Sequence, residues 1–245
     1  MMNKATVIIQ ARMGSSRLPG KIMYKLRNKP MLWHIVERIR VCKNVDDIII
    51  ATSISKVDDE VEAFAKKHNI KYVRGSEKDV LSRYVLASRS AKNDVLVRIT
   101  ADCPLIDPNI IDECINEFFN NECDYVAPTC RNGIIRGLDT EVFSKKTLIE
   151  VDKIAIDDKY REHVTLYIYS NPQKYRINKL ILSTKYAHPE WRLCVDEIGD
   201  YRLIETIYNA LYKDEGIIDI DNVIEYISQS EQVLEVNKNV KQKSV

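Results

Sequence analysis

No apolar run in the chain approaches the roughly 20 residues that a transmembrane helix needs, so none is expected and no membrane partner is assigned. Met1-Met2-Asn3-Lys4 leads straight into a strand-like run, without the apolar stretch and small-residue cleavage site of a secretory leader. Charge of one sign is also missing. Lys and Arg number 37 against 36 Asp and Glu, a net charge of +1 that offers no global attraction for nucleic acid. Six cysteines form no Cys-x-x-Cys pair and show no finger spacing with the four histidines, so they read as reduced thiols and the expected location is the cytoplasm. There is no internal repeat, no low-complexity linker and no Gly-x-Gly-x-x-Gly fingerprint. One Asp-x-Asp exists, Asp219-Ile220-Asp221, and its place before a final helix makes capping the simpler role.

What is present is an alternation of strands and helices. Ala5–Ile9, Asp47–Thr52, Lys71–Val73 and Val95–Ile99 read as strands. Helices are predicted from Pro30, from a Ser55 cap, over Asp79–Ala91 and from Pro108 to about Asn121. That order predicts an α/β fold with a Rossmann-like, doubly wound, mostly parallel sheet flanked by helices. Residues 125–146 break the rhythm with Pro128, Gly133 and Gly137 and are expected to form an inserted hairpin or arm. Helices near 147–156 and 159–170, extended segments at Tyr175–Leu182 and Trp191–Val195, and helices at Asp200–Tyr212 and Asp221–Ser228 follow. A single domain over 1–245 with a frayed, lysine-rich tail at 237–245 is the expected organisation.

The first strand empties into Gln10-Ala11-Arg12-Met13-Gly14-Ser15-Ser16-Arg17-Leu18-Pro19-Gly20-Lys21. Glycines let backbone N–H groups approach an anion, and Arg12, Arg17 and Lys21 can neutralise it, which suits a polyphosphate. It is not a P-loop: five residues separate Gly14 from Gly20, Pro19 lacks an N–H, and Ile22 replaces the required Ser or Thr.

Ligands of open α/β sheets bind beyond the carboxyl ends of the strands, and two further segments end there on acids. In Arg98-Ile99-Thr100-Ala101-Asp102-Cys103-Pro104, Asp102 can ligate a hard cation such as Mg²⁺ or cap the turn before proline. In Trp191-Arg192-Leu193-Cys194-Val195-Asp196-Glu197-Ile198-Gly199-Asp200, the acids can serve a ligand or open the next helix, and for Asp200 helix capping is preferred. Asp139 and Glu141 fit the wet face of an edge strand as well as a substrate contact. Arg161, Glu162 and His163 sit on a predicted helix, where a solvated charged face explains the first two and a hydrogen-bonded core position the histidine as well as a substrate contact does. The stripe Tyr167, Tyr169, Tyr175 and Tyr186 reads as packing, and Asp157-Asp158 as a helix start.

Taken together, Arg12-x-Gly14-Ser15-x-Arg17-Leu18-Pro19-Gly20-Lys21, the Asp102 segment and the Asp196 segment resemble the cytidylyltransferases that activate 3-deoxy-manno-octulosonate and acylneuraminate. The resemblance covers about residues 5–210 and is strongest to the spore coat polysaccharide biosynthesis branch, with Gln10-Ala11-Arg12 for Pro-Ala-Arg and Ala101 for glycine. Arg74–Tyr84, Gly137–Ser144 and Arg161–Thr165 also resemble that branch. It implies Mg²⁺-dependent transfer of a cytidylyl group from CTP to an acidic sugar, releasing pyrophosphate. It assigns Arg12, Arg17, Lys21, Asp102 and Asp196 to catalysis, the last two to the metal. Gln10, Ala11, Gly14, Ser15, Ser76, Asp79 and Ala101 join the nucleotide site, and Asp139, Glu141, Arg161, Glu162 and His163 the sugar site. A homodimer with an arm at 125–146 is a further implication. A sugar-1-phosphate nucleotidyltransferase using another NTP, a glycosyltransferase and a non-catalytic nucleotide-binding protein stand as alternatives.

Overall fold

A computed structural model describes residues 3–213 and 216–242. β1 (Ala5–Gln10) is β-branched and buried along nearly its whole length, the mark of a strand covered on both faces. It pairs in parallel with β4 (Val45–Ser53) on one side and β6 (Val95–Thr100) on the other. Before β4, Lys25–Leu26 (β2) and Lys29–Pro30 (β3) form a small antiparallel ribbon. Pro30 therefore precedes α1 (Met31–Arg40) as its cap, where the sequence placed it inside the first turn. Beyond β4 lies β5 (Lys71–Gly75). The helices between these strands are α2 (Asp59–Lys67), α3 (Val80–Arg89) and α4 (Pro108–Asn120). Pro108 opens α4 while the Asp107 carboxylate accepts from Asn109 N–H. Ser55 caps nothing with its side chain, because a 3₁₀ turn over Lys56–Asp58 intervenes before α2.

The 125–146 segment does not project from the fold. Its extended pieces, β7 (Tyr125–Thr129) and β8 (Glu141–Ser144), form an antiparallel pair within the seven-stranded sheet, whose order is β5-β4-β1-β6-β8-β7-β9. β8 lies beside β6 and is interior rather than an edge. Burial of Val142 and Phe143 on opposite faces gives the physical reason: both sides of this strand belong to the core. The edge is β9 (Ile177–Ile181), parallel to β7. α5 (Lys145–Ile154), α6 (Asp158–Glu162) and α7 (Leu166–Tyr169) pack between, so the single helix expected at 159–170 is two short ones. α8 (Ile198–Leu211) and α9 (Ile220–Gln229) follow, the latter capped by Asp219 as expected.

Two features gather the polar loops. Chain order reverses between β1 and β6, whose last residues, Gln10 and Thr100, are register partners, and the crevice at such a reversal is where doubly wound folds bind ligands. Trp191–Val195, expected as a strand, is not in the sheet. It lies across the strand ends through Arg136 N–H to Trp191 O (3.0 Å), Leu193 N–H to Arg136 O (2.8 Å) and Val195 N–H to Asp102 O (2.8 Å). Gly137 permits that crossing. Its φ is +103°, and a Cβ there would stand 2.7–2.8 Å from the Leu193 and Cys194 backbone. Gly137→Ala should therefore lower stability by about 1–3 kcal/mol or more; urea unfolding with a wild-type midpoint would refute the clamp.

Candidate active site

The loop after β1 is folded by its own backbone. Ser15 and Gly20 N–H groups both donate to Met13 O at 2.9 Å, so the Ser15 amide, expected to face an anion, is already committed. Gly20 adopts φ +71° and starts the 3₁₀ turn Lys21–Met23. The buried Asp58 carboxylate anchors the loop from outside, accepting from Met13 N–H at 2.6 Å and from Ser53 N–H and O–H. Ala11 is core, and Gly14 sits beneath the Glu77 carboxylate.

This scaffold turns Lys21 inward. Its ammonium, on a residue only 8% exposed, donates to Asp102 Oδ2 (3.2 Å), Asp196 Oδ1 (3.0 Å) and Val195 O (2.6 Å). Two carboxylate oxygens that close to one nitrogen are necessarily near each other, so acids 94 positions apart in the chain share one locus. Burial alone would lower the Lys21 pKa, but the two carboxylates overcome it and hold it above the ordinary value. Lys21, expected to neutralise a polyphosphate, is here the buried counter-ion of the acid pair. On Asp196, burial opposes ionisation, yet Lys21, Arg17 and Arg192 together keep the carboxyl below its usual range. Arg17 reaches Asp196 Oδ2 at 2.9 Å and Glu197 at 3.3 Å. Asp102 Oδ1 accepts from the Thr100 hydroxyl at 2.6 Å.

Arg192 was not foreseen. It is buried and bridges Asp196 (3.1 Å) and Asp200 (3.3 Å), while Asp200 accepts from Asp196 and Glu197 N–H groups to close a capping box. Asn237 donates to Arg192 O and Asp200 at 3.0 Å each, and Gln242 accepts from Arg192 at 2.7 Å. Residues 237–242 are therefore docked rather than frayed, because Asn237 supplies a buried amide that these groups need; residues 243–245 lie outside the described residues.

Two cavities meet at the acid pair. The smaller, about 300 Å³, includes Gln10, Arg12, Ser15, Lys21 and Ala101 in its wall. The larger, about 880 Å³, includes Asp139, Glu141, Thr140 and Arg136. Arg17, Asp102, Glu162, His163 and Asp196 border both. Five expected site residues line neither cavity: Ala11 and Gly14, and Ser76, Asp79 and Arg161. Asp79 caps α3 through Ser82 N–H (2.9 Å) and pairs with Arg161 (2.7 Å), which also holds Asp152 (2.8 Å), so both charges are spent joining α6 to α3 and α5. Ser76 is exposed and accepts from Asp79 N–H. Glu141 does reach the larger cavity, but not on a wet face. It pairs with Arg98 and accepts from the Tyr125 and Thr165 hydroxyls at 2.6 Å each. Burial pushes the Glu141 pKa up, and Arg98 with those donors brings it below the ordinary value.

The donor set suits a hard cation. Asp102 and Asp196 offer only oxygen, and among the described residues no group of three or more His, Cys, Asp and Glu side chains is placed for a metal. Cys103 and Cys194 border the larger cavity, where burial and Asp102 push both thiols up, Cys194 to about 12. Two carboxylates that leave the remaining positions to water and substrate phosphate are the usual provision for Mg²⁺.

A family model described as cytidylyltransferase matches residues 6–217. The chain belongs to the cytidylyltransferase family. It is 38% identical over 239 residues to an uncharacterized protein of Methanocaldococcus jannaschii, covering 97% of this chain and 96% of that one. It is also 38% identical over 216 residues to the spore coat polysaccharide biosynthesis protein SpsF of Bacillus subtilis, covering 84% and 87%. A 3-deoxy-manno-octulosonate cytidylyltransferase of Escherichia coli matches at 25% over 181 residues, 69% of this chain and 73% of that one. Among solved structures, a cytidylyltransferase from Leptospira borgpetersenii superposes with a TM-score of 0.85 at 29% identity over 98% of this chain and 99% of that one. The cytidylyltransferase described here is thus a nucleotidyltransferase enzyme, and none of its described helices is long and apolar enough to cross a membrane.

The Glu141–Arg98 pair braces the floor of the larger cavity. Glu141→Gln should cost roughly 3 kcal/mol, because a guanidinium is left largely buried without its counter-charge. With its folded-state pKa below 4.5, Glu141 contributes stability that is fully present above pH 4.5 and lost as pH falls through the folded value. Urea unfolding from neutral to acid pH should therefore show the wild-type advantage shrink on the acid side; an advantage independent of pH would contradict the pairing.

Proposed function

We propose that this cytidylyltransferase transfers CMP from CTP to a hydroxyl of an acidic sugar, with Mg²⁺ and with release of pyrophosphate, for surface polysaccharide or glycan synthesis. The observation that carries the reading is the placement of Asp102, Asp196 and Lys21 where a cation-walled cavity meets a larger polar one. The names of relatives that act on 3-deoxy-manno-octulosonate or serve spore coat polysaccharide synthesis support the substrate class.

In this reading the nucleotide triphosphate occupies the smaller cavity. Arg12, Arg17 and Lys21 neutralise its phosphates, and their forked and pointed donors hold the α-phosphorus in line with the incoming oxygen. The acceptor lies in the larger cavity, across the acid pair. Its hydroxyl oxygen forms the new bond to the α-phosphorus as the bond to the β-phosphate oxygen breaks, pyrophosphate leaves and the hydroxyl proton passes to water. The chain supplies position and charge rather than a nucleophile. Asp102 and Asp196 would hold Mg²⁺, which, when bound, neutralises charge on the transferring phosphoryl group. Thr100 and Arg192 fix the two carboxylates from behind.

The deciding experiment measures pyrophosphate release from each of four NTPs with a panel of acidic sugars and sugar phosphates. CTP with a sugar acid should be turned over; preference for a sugar 1-phosphate with another NTP would select the rival nucleotidyltransferase. Lys21→Met should lower turnover by roughly 10²–10³-fold, the loss seen when one donor to developing charge is removed. Asp196→Asn should do at least as much while binding of metal-free CTP changes little. Unfolding curves of both variants separate lost chemistry from lost structure, since Lys21 is buried between two acids.

A further inference from the structure

The wall of the larger cavity contains buried polar atoms that find no partner among the described residues: Arg98 Nε, Arg136 Nε and Thr140 Oγ1. Burying such a group unpaired costs about 1–3 kcal/mol, more where the group is charged. These atoms are closed off from solvent, so a ligand in the cavity would meet the outer nitrogens of an arginine side chain there rather than the orphans themselves. The arginines there differ in one respect. Arg17 is paired with Asp196 and Glu197, and Arg98 with Glu141. Arg136 enters none of the ion pairs found among the described residues. Asp139 is close enough for the two charges to be felt, but its recorded hydrogen bond is to Gly137 N–H at 3.2 Å.

Arg136 is also held rigidly. Its N–H donates to Trp191 O and its carbonyl accepts from Leu193 N–H, and the next residue is the tightly packed Gly137. The same 191–196 segment ends on Asp196, so the guanidinium and the acid pair share one backbone frame.

We infer that Arg136 is the anion anchor of the acceptor subsite, binding the carboxylate of the sugar acid through its outer guanidinium nitrogens. This rests on the acidic-acceptor reading above. A guanidinium presents parallel N–H donors that match the two oxygens of a carboxylate. No other residue proposed for the acceptor side supplies an unspent cation of this kind: Arg161 is consumed by Asp79 and Asp152, and Asp139, Glu141 and Glu162 are acids. The nucleotide does not claim Arg136, which borders only the larger cavity.

The test compares wild type with Arg136→Met and Arg136→Lys, using 3-deoxy-manno-octulosonate and N-acetylneuraminate as probes. CTP affinity by calorimetry, KM and kcat by pyrophosphate release, and equilibrium binding of each acid are measured separately. Arg136→Met should leave CTP affinity and the unfolding midpoint near wild type, because its side chain makes no bond that holds the fold. KM for the acid should rise roughly 10- to 100-fold, the equivalent of a lost charge-assisted bond, with a smaller change in kcat and partial rescue by lysine. An unchanged KM overturns the assignment. If wild type releases no pyrophosphate with either acid, the reading of the reaction fails, and binding still decides Arg136: saturable binding to wild type lost in Arg136→Met sustains the anchor. No binding to wild type, or a phosphate ester bound in preference, removes it.

Discussion

One buried ammonium organises the site. Lys21 stands between Asp102 and Asp196, and through Val195 O it also holds the backbone that carries the second acid. Without it, two carboxylates would face each other in a poorly solvated crevice, an arrangement in which both cannot stay ionised cheaply. With it, three segments of the chain become a single unit: the loop after β1, the turn after β6 and the crossing segment before α8. Arg17 and Arg192 extend the same logic by covering the other Asp196 oxygen. The positive charge that neutralises the acids is also the charge that a triphosphate would draw on, so the resting site is electrostatically closed and complementary to a nucleotide.

That unit depends on packing away from the chemistry. Gly137 lets the 130–140 loop press on the Leu193–Cys194 backbone, and Asn237 ties the C-terminal residues to Arg192 and Asp200. Asp58 performs the equivalent service for the loop after β1 by accepting the Met13 amide. Each support is a buried hydrogen bond or a close backbone contact, and each holds a functional side chain without touching a substrate cavity itself. The interior position of β8 matters similarly. It carries Glu141 into a cluster with Arg98, Tyr125 and Thr165, so the larger cavity is lined there by a hydrogen-bonded polar network on a core strand.

Much of the architecture was determined by local chemistry alone. The β-branched runs at Ala5–Ile9 and Ile48–Ile50 read as buried strands, and Pro108 after Asp107 as the opening of a helix, and the structure forms both. The order of these elements specified a parallel sheet and hence a ligand crevice at the strand ends. The spacing of Arg12, Arg17, Gly20 and Lys21 likewise makes the loop after β1 suited to an anion from its sequence alone. Tertiary structure decided the rest. Whether Asp102 and Asp196 meet depends on a non-sheet crossing that no periodicity encodes, and Arg192 became a support only because that crossing brought it beside Asp200. Arg161 and Arg136 are the sharpest contrast. Both are arginines in polar stretches, and only the packed structure reveals that the first is consumed by Asp79 and Asp152 while the second borders a cavity without an ion pair among the described residues. Charge is written in the sequence; which charges are neutralised is set by distance, and distance belongs to the fold.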